Sequence, residues 1–292
     1  MIISRRTRIT ALIVLAASIL VGYQSIVGWQ AIMAFDTSAS TPLLSEIVID
    51  PPSETSEACQ YTELRGTPGD TVTANTYFLS VNSDLGNFGF ANQAVNISGL
   101  TYGSNGTIVL FNTSFGDCPN RVYGPGTTKF DYYSALRVGT GSEAYLIVQS
   151  TTPLSHGQDL DTNNDGQFDA GLGITVLDGF ALLVNPLEEY VYGASAGVVN
   201  ISNPGLNQPD AVTRFPGNNT PFTSAAFYYG ELATSPDETT IYVGPFSTNF
   251  PSGGSLTPGA LGASVPVLNE IVIDPPSETS EACQYTELRG TP

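Results

Sequence analysis

The sequence predicts an all-β protein, a sandwich or barrel of short strands, on three observations. Beyond residue 40, β-branched and aromatic residues gather in short runs. Gly, Pro, Ser, Thr and Asn separate those runs, as turns require. No window there sustains the i, i+3, i+4, i+7 apolar stripe of an amphipathic helix. With 41% hydrophobic residues in 292, the chain can bury a sizeable core, and only 12% of its residues are charged.

In chain order, the first element is not part of that body. SRRTRIT followed by ALIVLAASILVG is a basic segment and an apolar run of signal-peptide length. The uncharged stretch from residue 9 to 35 is also long enough to span a bilayer. Residues 1–40 are therefore expected to be a cleaved signal or an uncleaved anchor helix, and either one exports the chain. The predicted strands follow as EIVID, QYTELRG, TYFLSVNSD, QAVNIS, GTIVLFN, AYLIVQS, ITVLDGFALLV, AAFYYGEL and TTIYVGP, all within residues 44–262. Residues 263–267 continue a Gly-, Pro-, Ser- and Ala-rich linker.

Beyond that linker the chain repeats itself. Residues 44–68 and 268–292 are identical except that Ser45 is matched by Asn269. The identity runs through the loop DPPSETSEACQ, where folding alone would permit drift. A recent duplication explains it, so residues 268–292 are expected to be the truncated start of a second copy. If they instead form a functional tail, that tail would compete for the first copy's strand slot and support self-association.

Three cysteines suit an oxidising compartment. Cys59 and Cys118 would close a loop of about 60 residues, stabilising the fold by about 4 kcal/mol; separate thiols are the alternative. In CQYTELR, period-two alternation puts Tyr61, Glu63 and Arg65 on one face. Glu63 would then pair with Arg65 or meet Arg214, a structural role for all three.

Several of these segments resemble the bacterial exported lamin-tail domain. The opening strand pattern is Glu46-Ile47-Val48-Ile49, the loop holds Pro51-Pro52, and the next strand is Tyr61-Thr62-Glu63-Leu64. The closing segment is similar through Ala211, Val212, Arg214 and Pro216. The resemblance implies an immunoglobulin-like β-sandwich, non-catalytic, placed beside other domains. The stretch is long for one such domain, so loop insertions are expected within residues 113–175.

One motif carries sharper chemistry. In DLDTNNDGQFDAGLG, Asp161, Asn163, Asp165 and Asp169 fall at positions 1, 3, 5 and 9 of an EF-hand-like loop, with Gly166 at its sharp turn. The Gln167 carbonyl would be the backbone ligand, and Asp159 or Asp178 would complete the shell. Position 12 is Leu172, so the bidentate glutamate is missing. Calcium affinity in the range of about 10⁻⁴–10⁻³ M is expected; the alternative is a solvated Asp-rich turn.

Composition narrows the function classes. Beyond residue 40, 6 basic residues face 26 acidic ones, which argues against nucleic-acid binding and favours cations. His156 is the only histidine, and no G-x-S-x-G elbow accompanies it. Glu188 and Glu189 are adjacent and would diverge in a strand. The aromatic stretches DYY and FYYG suit a carbohydrate platform but are read as core. The expected role is a secreted or cell-surface structural or adhesive module, non-catalytic and calcium-stabilised, within a multidomain protein. Its partners would be other domains of the same polypeptide or cell-surface components, with residues 9–35 a candidate membrane anchor. The alternative is an accessory domain of an extracellular nuclease or phosphatase.

Overall fold

A computed structural model describes residues 40–49, 56–118, 123–134, 141–202, 209–230, 247, 249, 267–272 and 285–289. All but the last residue of the signal or anchor segment, the strand expected at TTIYVGP and all but the last residue of the linker lie outside them.

The described residues form an all-β sandwich. One sheet has six strands in the order β10–β9–β1–β2–β5–β6 and the other has four, β4–β3–β7–β8. The strands are β1 (Leu43–Val48), β2 (Tyr61–Arg65), β3 (Thr76–Asn82), β4 (Ala91–Asn96), β5 (Thr107–Phe111), β6 (Thr128–Asp131), β7 (Glu143–Ser150), β8 (Ile174–Leu182), β9 (Ala211–Arg214) and β10 (Phe227–Gly230). All neighbours pair antiparallel except β5 and β6, which run parallel.

Alternation explains the core. Leu44, Ile47, Leu64, Ile108, Leu110 and Val212 from the larger sheet meet Phe78, Val95, Tyr145, Ile147 and Phe180 from the smaller one. Each fully buried aliphatic or Phe side chain there contributes about 1.5–3 kcal/mol. A bulge between Leu44 and Glu46 keeps both Leu44 and Ile47 inward. The outer face of the smaller sheet is buried as well: Leu79, Val81, Leu146 and Val148 pack against Leu160, Tyr192 and Val198 from the connections flanking β8. On the outer face of the larger sheet, Val48, Tyr61, Val109 and Ala211 form a third cluster.

At three points the strands differ from the sequence expectation. β6 is absent from the predicted strands, because its four residues alternate between half-buried and exposed and offer no apolar run. β9 is visible in the sequence only through the lamin-tail resemblance. Residues 113–175, where insertions are expected, hold β6, the central strand β7 and the long connection from residue 151 to 173. Finally, Val267 is not linker: it opens β11 (Val267–Val272), which pairs with β12 (Tyr285–Arg289) as a separate two-stranded sheet.

Candidate functional site

The Asp-rich loop sits in the β7–β8 connection, laid along the free edge of β4. Ala91 N donates to Gln158 O at 2.9 Å, Gly157 N to Ala91 O at 2.7 Å, and Leu160 N to Gly89 O at 2.9 Å. These bonds deliver Asp161 into the protein, where it is fully buried. Its Oδ1 accepts from Asp165 N (3.0 Å), and its Oδ2 from Gly166 N (2.8 Å) and the Tyr192 hydroxyl (2.8 Å). The turn needs glycine on both sides of that carboxylate. A Cβ on Gly89 (φ +77°) would lie 2.5 Å from Asp161 Cβ, and one on Gly166 (φ +79°) 2.6 Å from the Tyr190 ring. Burial, with the bond to Asp161 next, holds the Tyr192 phenol well above its ordinary pKa.

The other expected ligands are nearer to solvent and bond among themselves. Asp159 Oδ1 accepts from Asp161 N (3.0 Å). Asp165 accepts from Gln167 N through Oδ1 (2.9 Å) and from Asn163 Nδ2 through Oδ2 (2.8 Å). Asp169 Oδ2 accepts the Thr162 hydroxyl at 2.9 Å. Among the described residues, no three Asp, Glu, His or Cys side chains converge on a point suited to a metal ion. The donor chemistry nevertheless fits a hard cation in part. A carboxylate oxygen accepts two bonds, so Asp161 Oδ1 keeps one position and Asp169 Oδ1 both. Asn163 presents its amide nitrogen to Asp165 and would have to turn to offer oxygen.

Asp178 does not belong to this loop. Its carboxylate lies in the core, accepting Leu44 N (2.8 Å), Phe222 N (3.4 Å) and Arg214 Nη2 (2.5 Å). Arg214 is equally buried, donating also to Leu44 O (2.6 Å) and Thr220 O (2.9 Å) and stacking over Phe227 at 4.3 Å. Desolvation lowers its pKa, opposed by Asp178. Arg214 is therefore structural, but its carboxylate is Asp178 rather than Glu63. The register Glu63↔Glu46↔Thr213 puts Glu63 on the face opposite Arg214. Arg65 shares the face of Glu63 and donates to the carbonyls of Phe215 (3.3 Å) and Asn218, tying β2 to the loop after β9. Burial, then the charge of Arg214, lowers the Arg65 pKa to about 10, while Asp178 and Glu63 oppose the drop.

Cys59, in the 3₁₀ turn Ser56–Cys59, is bonded to Cys118 beyond β5, with 4.8 Å between the Cα atoms. His156 is exposed in the turn before the Asp-rich loop. Glu188 and Glu189 occupy a turn, not a strand; Glu189 accepts from Ser142 Oγ (2.8 Å) and Asn185 N (2.7 Å).

Two buried carboxylates escape a reading of the sequence. Glu143 accepts from Ser80 Oγ (2.7 Å) and Asn92 Nδ2 at one end of the sandwich, and desolvation raises its pKa to about 8. Glu46, buried outside the larger sheet, accepts from the Tyr61 and Thr213 hydroxyls, the latter at 2.9 Å. A partial signal exists, since Glu143 directly precedes the apolar run AYLIV and Glu46 lies within one.

Fold and site together define a two-sheet β-sandwich whose loops are held by buried carboxylates and one disulfide. Comparison with protein-family models, curated proteins and solved structures finds no match to this chain.

Proposed function

We propose that this chain is an exported, non-catalytic module of the immunoglobulin-like, lamin-tail type, with a structural or adhesive role at a cell surface or in a secreted multidomain protein. The observation that carries the reading is the Cys59–Cys118 bond, because disulfides persist in oxidising compartments. The carboxylates support the structural half. Asp161, Asp178, Glu46 and Glu143 each accept hydrogen bonds that join separate strands or loops, the arrangement expected of groups that fasten a scaffold. Calcium is the cation that the hard oxygen donors of the Asp-rich loop suit, and it would act there as a loop clamp.

The test combines location with thiol state in the cells that produce the protein. Intact cells are treated with a membrane-impermeant label, and cysteines are alkylated before and after reduction. The expected result is label on the intact-cell or released protein, with Cys59 and Cys118 alkylated only after reduction. Confinement to the cell interior with both thiols already reactive would overturn the proposal.

A further inference from the structure

The sandwich is open along one side, where the edge strand of each sheet lines the same cleft. β4 of the smaller sheet and the segment of β6 and its exit from the larger one bound a space of about 410 Å³. That volume lies within the range of about 300–1,000 Å³ common to small-molecule sites. Phe130, Tyr132 and Tyr133 supply aromatic surface, and the exposed Asn96 and His156 supply polar atoms. Among the described residues, no Asp, Glu, Lys or Arg lines the cleft, in a chain whose net charge is −18.

Tyr133 is the unusual member. The sequence expectation of core for DYY and FYYG holds for Phe227, Tyr228 and Tyr229, which are buried. Tyr133 is instead 73% exposed, on a backbone with φ +37°. A bulky residue rarely adopts that conformation unless its surroundings impose it. Here they do. Tyr133 N donates to Asp131 Oδ1 (3.1 Å), and Asp131 also receives Thr113 N at 3.2 Å. On the other side, Asn112 clamps the backbone of Ser134, donating to its carbonyl (2.7 Å) and accepting from its N–H (3.1 Å). The fold thus holds an aromatic ring out toward water beside a cleft, at a strained position, with a side-chain clamp on each flank.

We infer that this cleft binds a neutral saccharide. Aromatic faces pack against the apolar C–H face of a sugar ring, while amides and an imidazole exchange hydrogen bonds with its hydroxyls. The acidic field of the chain disfavours anionic ligands, and the lack of a carboxylate among the described lining residues disfavours cationic ones. Tyr133 is the stacking platform, and Asn96 and His156 are the hydroxyl-reading groups. This inference deepens the adhesive reading above by naming a ligand class, but it rests on different residues from those that support export.

The test is isothermal titration calorimetry of the full chain against β-glucan, α-glucan, β-mannan, xylan and β-galactan oligosaccharides, with polygalacturonate as the charged control. Tyr133→Gly removes the ring and suits the positive φ, so the fold is kept; Tyr133→Trp keeps a platform. The expected result is binding of at least one neutral oligosaccharide, weakened about tenfold or more (about 1.4 kcal/mol) by Tyr133→Gly and by Asn96→Ala but retained by Tyr133→Trp. Melting temperatures of the variants verify folding. The inference is overturned if no neutral oligosaccharide binds at about 10 mM, if binding survives Tyr133→Gly, or if only polygalacturonate binds. Any of these results leaves the thiol and localisation test of export unaffected.

Discussion

Replacing Glu143 by glutamine should remove a pH dependence that the fold imposes on itself. The carboxyl is fully buried, and desolvation raises its pKa from 4.5 to about 8 against the opposing hydrogen bonds from Ser80 and Asn92, with Asp84 adding to the rise. In the folded state Glu143 stays protonated up to about pH 8, whereas in the unfolded chain it ionises near 4.5. Its contribution is therefore fully present below pH 4.5 and is lost progressively as pH rises to about 8. Across that window the folded state holds one more proton, worth about 1.4 kcal/mol per pH unit, or on the order of 5 kcal/mol in all. The amide of the Glu143→Gln variant would keep both partners, accepting from Asn92 and donating to Ser80 Oγ, without titrating. Urea unfolding of parent and variant, followed by circular dichroism from about pH 4.5 to 8.5, gives the difference directly, since every other group titrates in both proteins. The variant should match the parent at the acid end and exceed it by several kcal/mol at the alkaline end. A difference that stays flat across the window would falsify the buried, neutral assignment of Glu143.

Two further outcomes are expected. Asp178→Asn or Arg214→Met alone should each cost about 3–5 kcal/mol, because the remaining partner is left buried without its counter-charge. The double variant should cost clearly less than the two single losses combined, and strict additivity in a double-mutant cycle would show that the pair is not coupled. For the Asp-rich loop, about 10 mM Ca²⁺ acting on a site with a dissociation constant of about 10⁻⁴–10⁻³ M should stabilise by about 1.4–2.7 kcal/mol, raising Tm by roughly 3–10 °C. Asp165→Asn should abolish that rise; a Tm insensitive to Ca²⁺ in the parent would remove calcium from the account.

What the sequence discloses depends on how local each cause is. β2, β3, β5 and β7 announce themselves because alternation and β-branched or aromatic content are properties of a few consecutive residues. β6 is a strand only because β5 offers it a parallel edge, a partner its own four residues do not advertise. The D-x-N-x-D-G spacing is legible as a turn around Asp161, since Asp165 N and Gly166 N lie within the same loop. The hydroxyl that completes Asp161 comes from Tyr192, 31 residues on, and no spacing rule foretells it. Asp178 looks like a candidate loop ligand until the fold sets it against Arg214, 36 residues away, with Leu44 N 134 residues back completing the site. Tyr133 shows the converse: composition favours core for an aromatic pair, and only the positive φ and the clamps from Asp131 and Asn112 turn one ring outward.

The repeated segment separates local from tertiary causes most cleanly. β11 and β12 pair in the register of β1 and β2 moved by 224 residues: Leu268↔Leu288 repeats Leu44↔Leu64, and the bulge between Leu268 and Glu270 repeats that between Leu44 and Glu46. The single difference, Ser45 against Asn269, falls at the bulge itself, where one residue on the strand goes unpaired and a change of side chain disturbs no ladder bond. In the first copy β1 also pairs with β9 and β2 with β5, whereas the second hairpin forms its own two-stranded sheet. Hairpin, register and bulge are therefore written into the 25 residues. Membership of a sandwich is not, because it needs strands equivalent to β9 and β5. A two-stranded hairpin is marginal in water and gains independent stability from a third strand and an apolar face to cover. The edges that β9 and β5 occupy in the first copy are thus where the second hairpin would gain most from further strands, whichever chain supplies them.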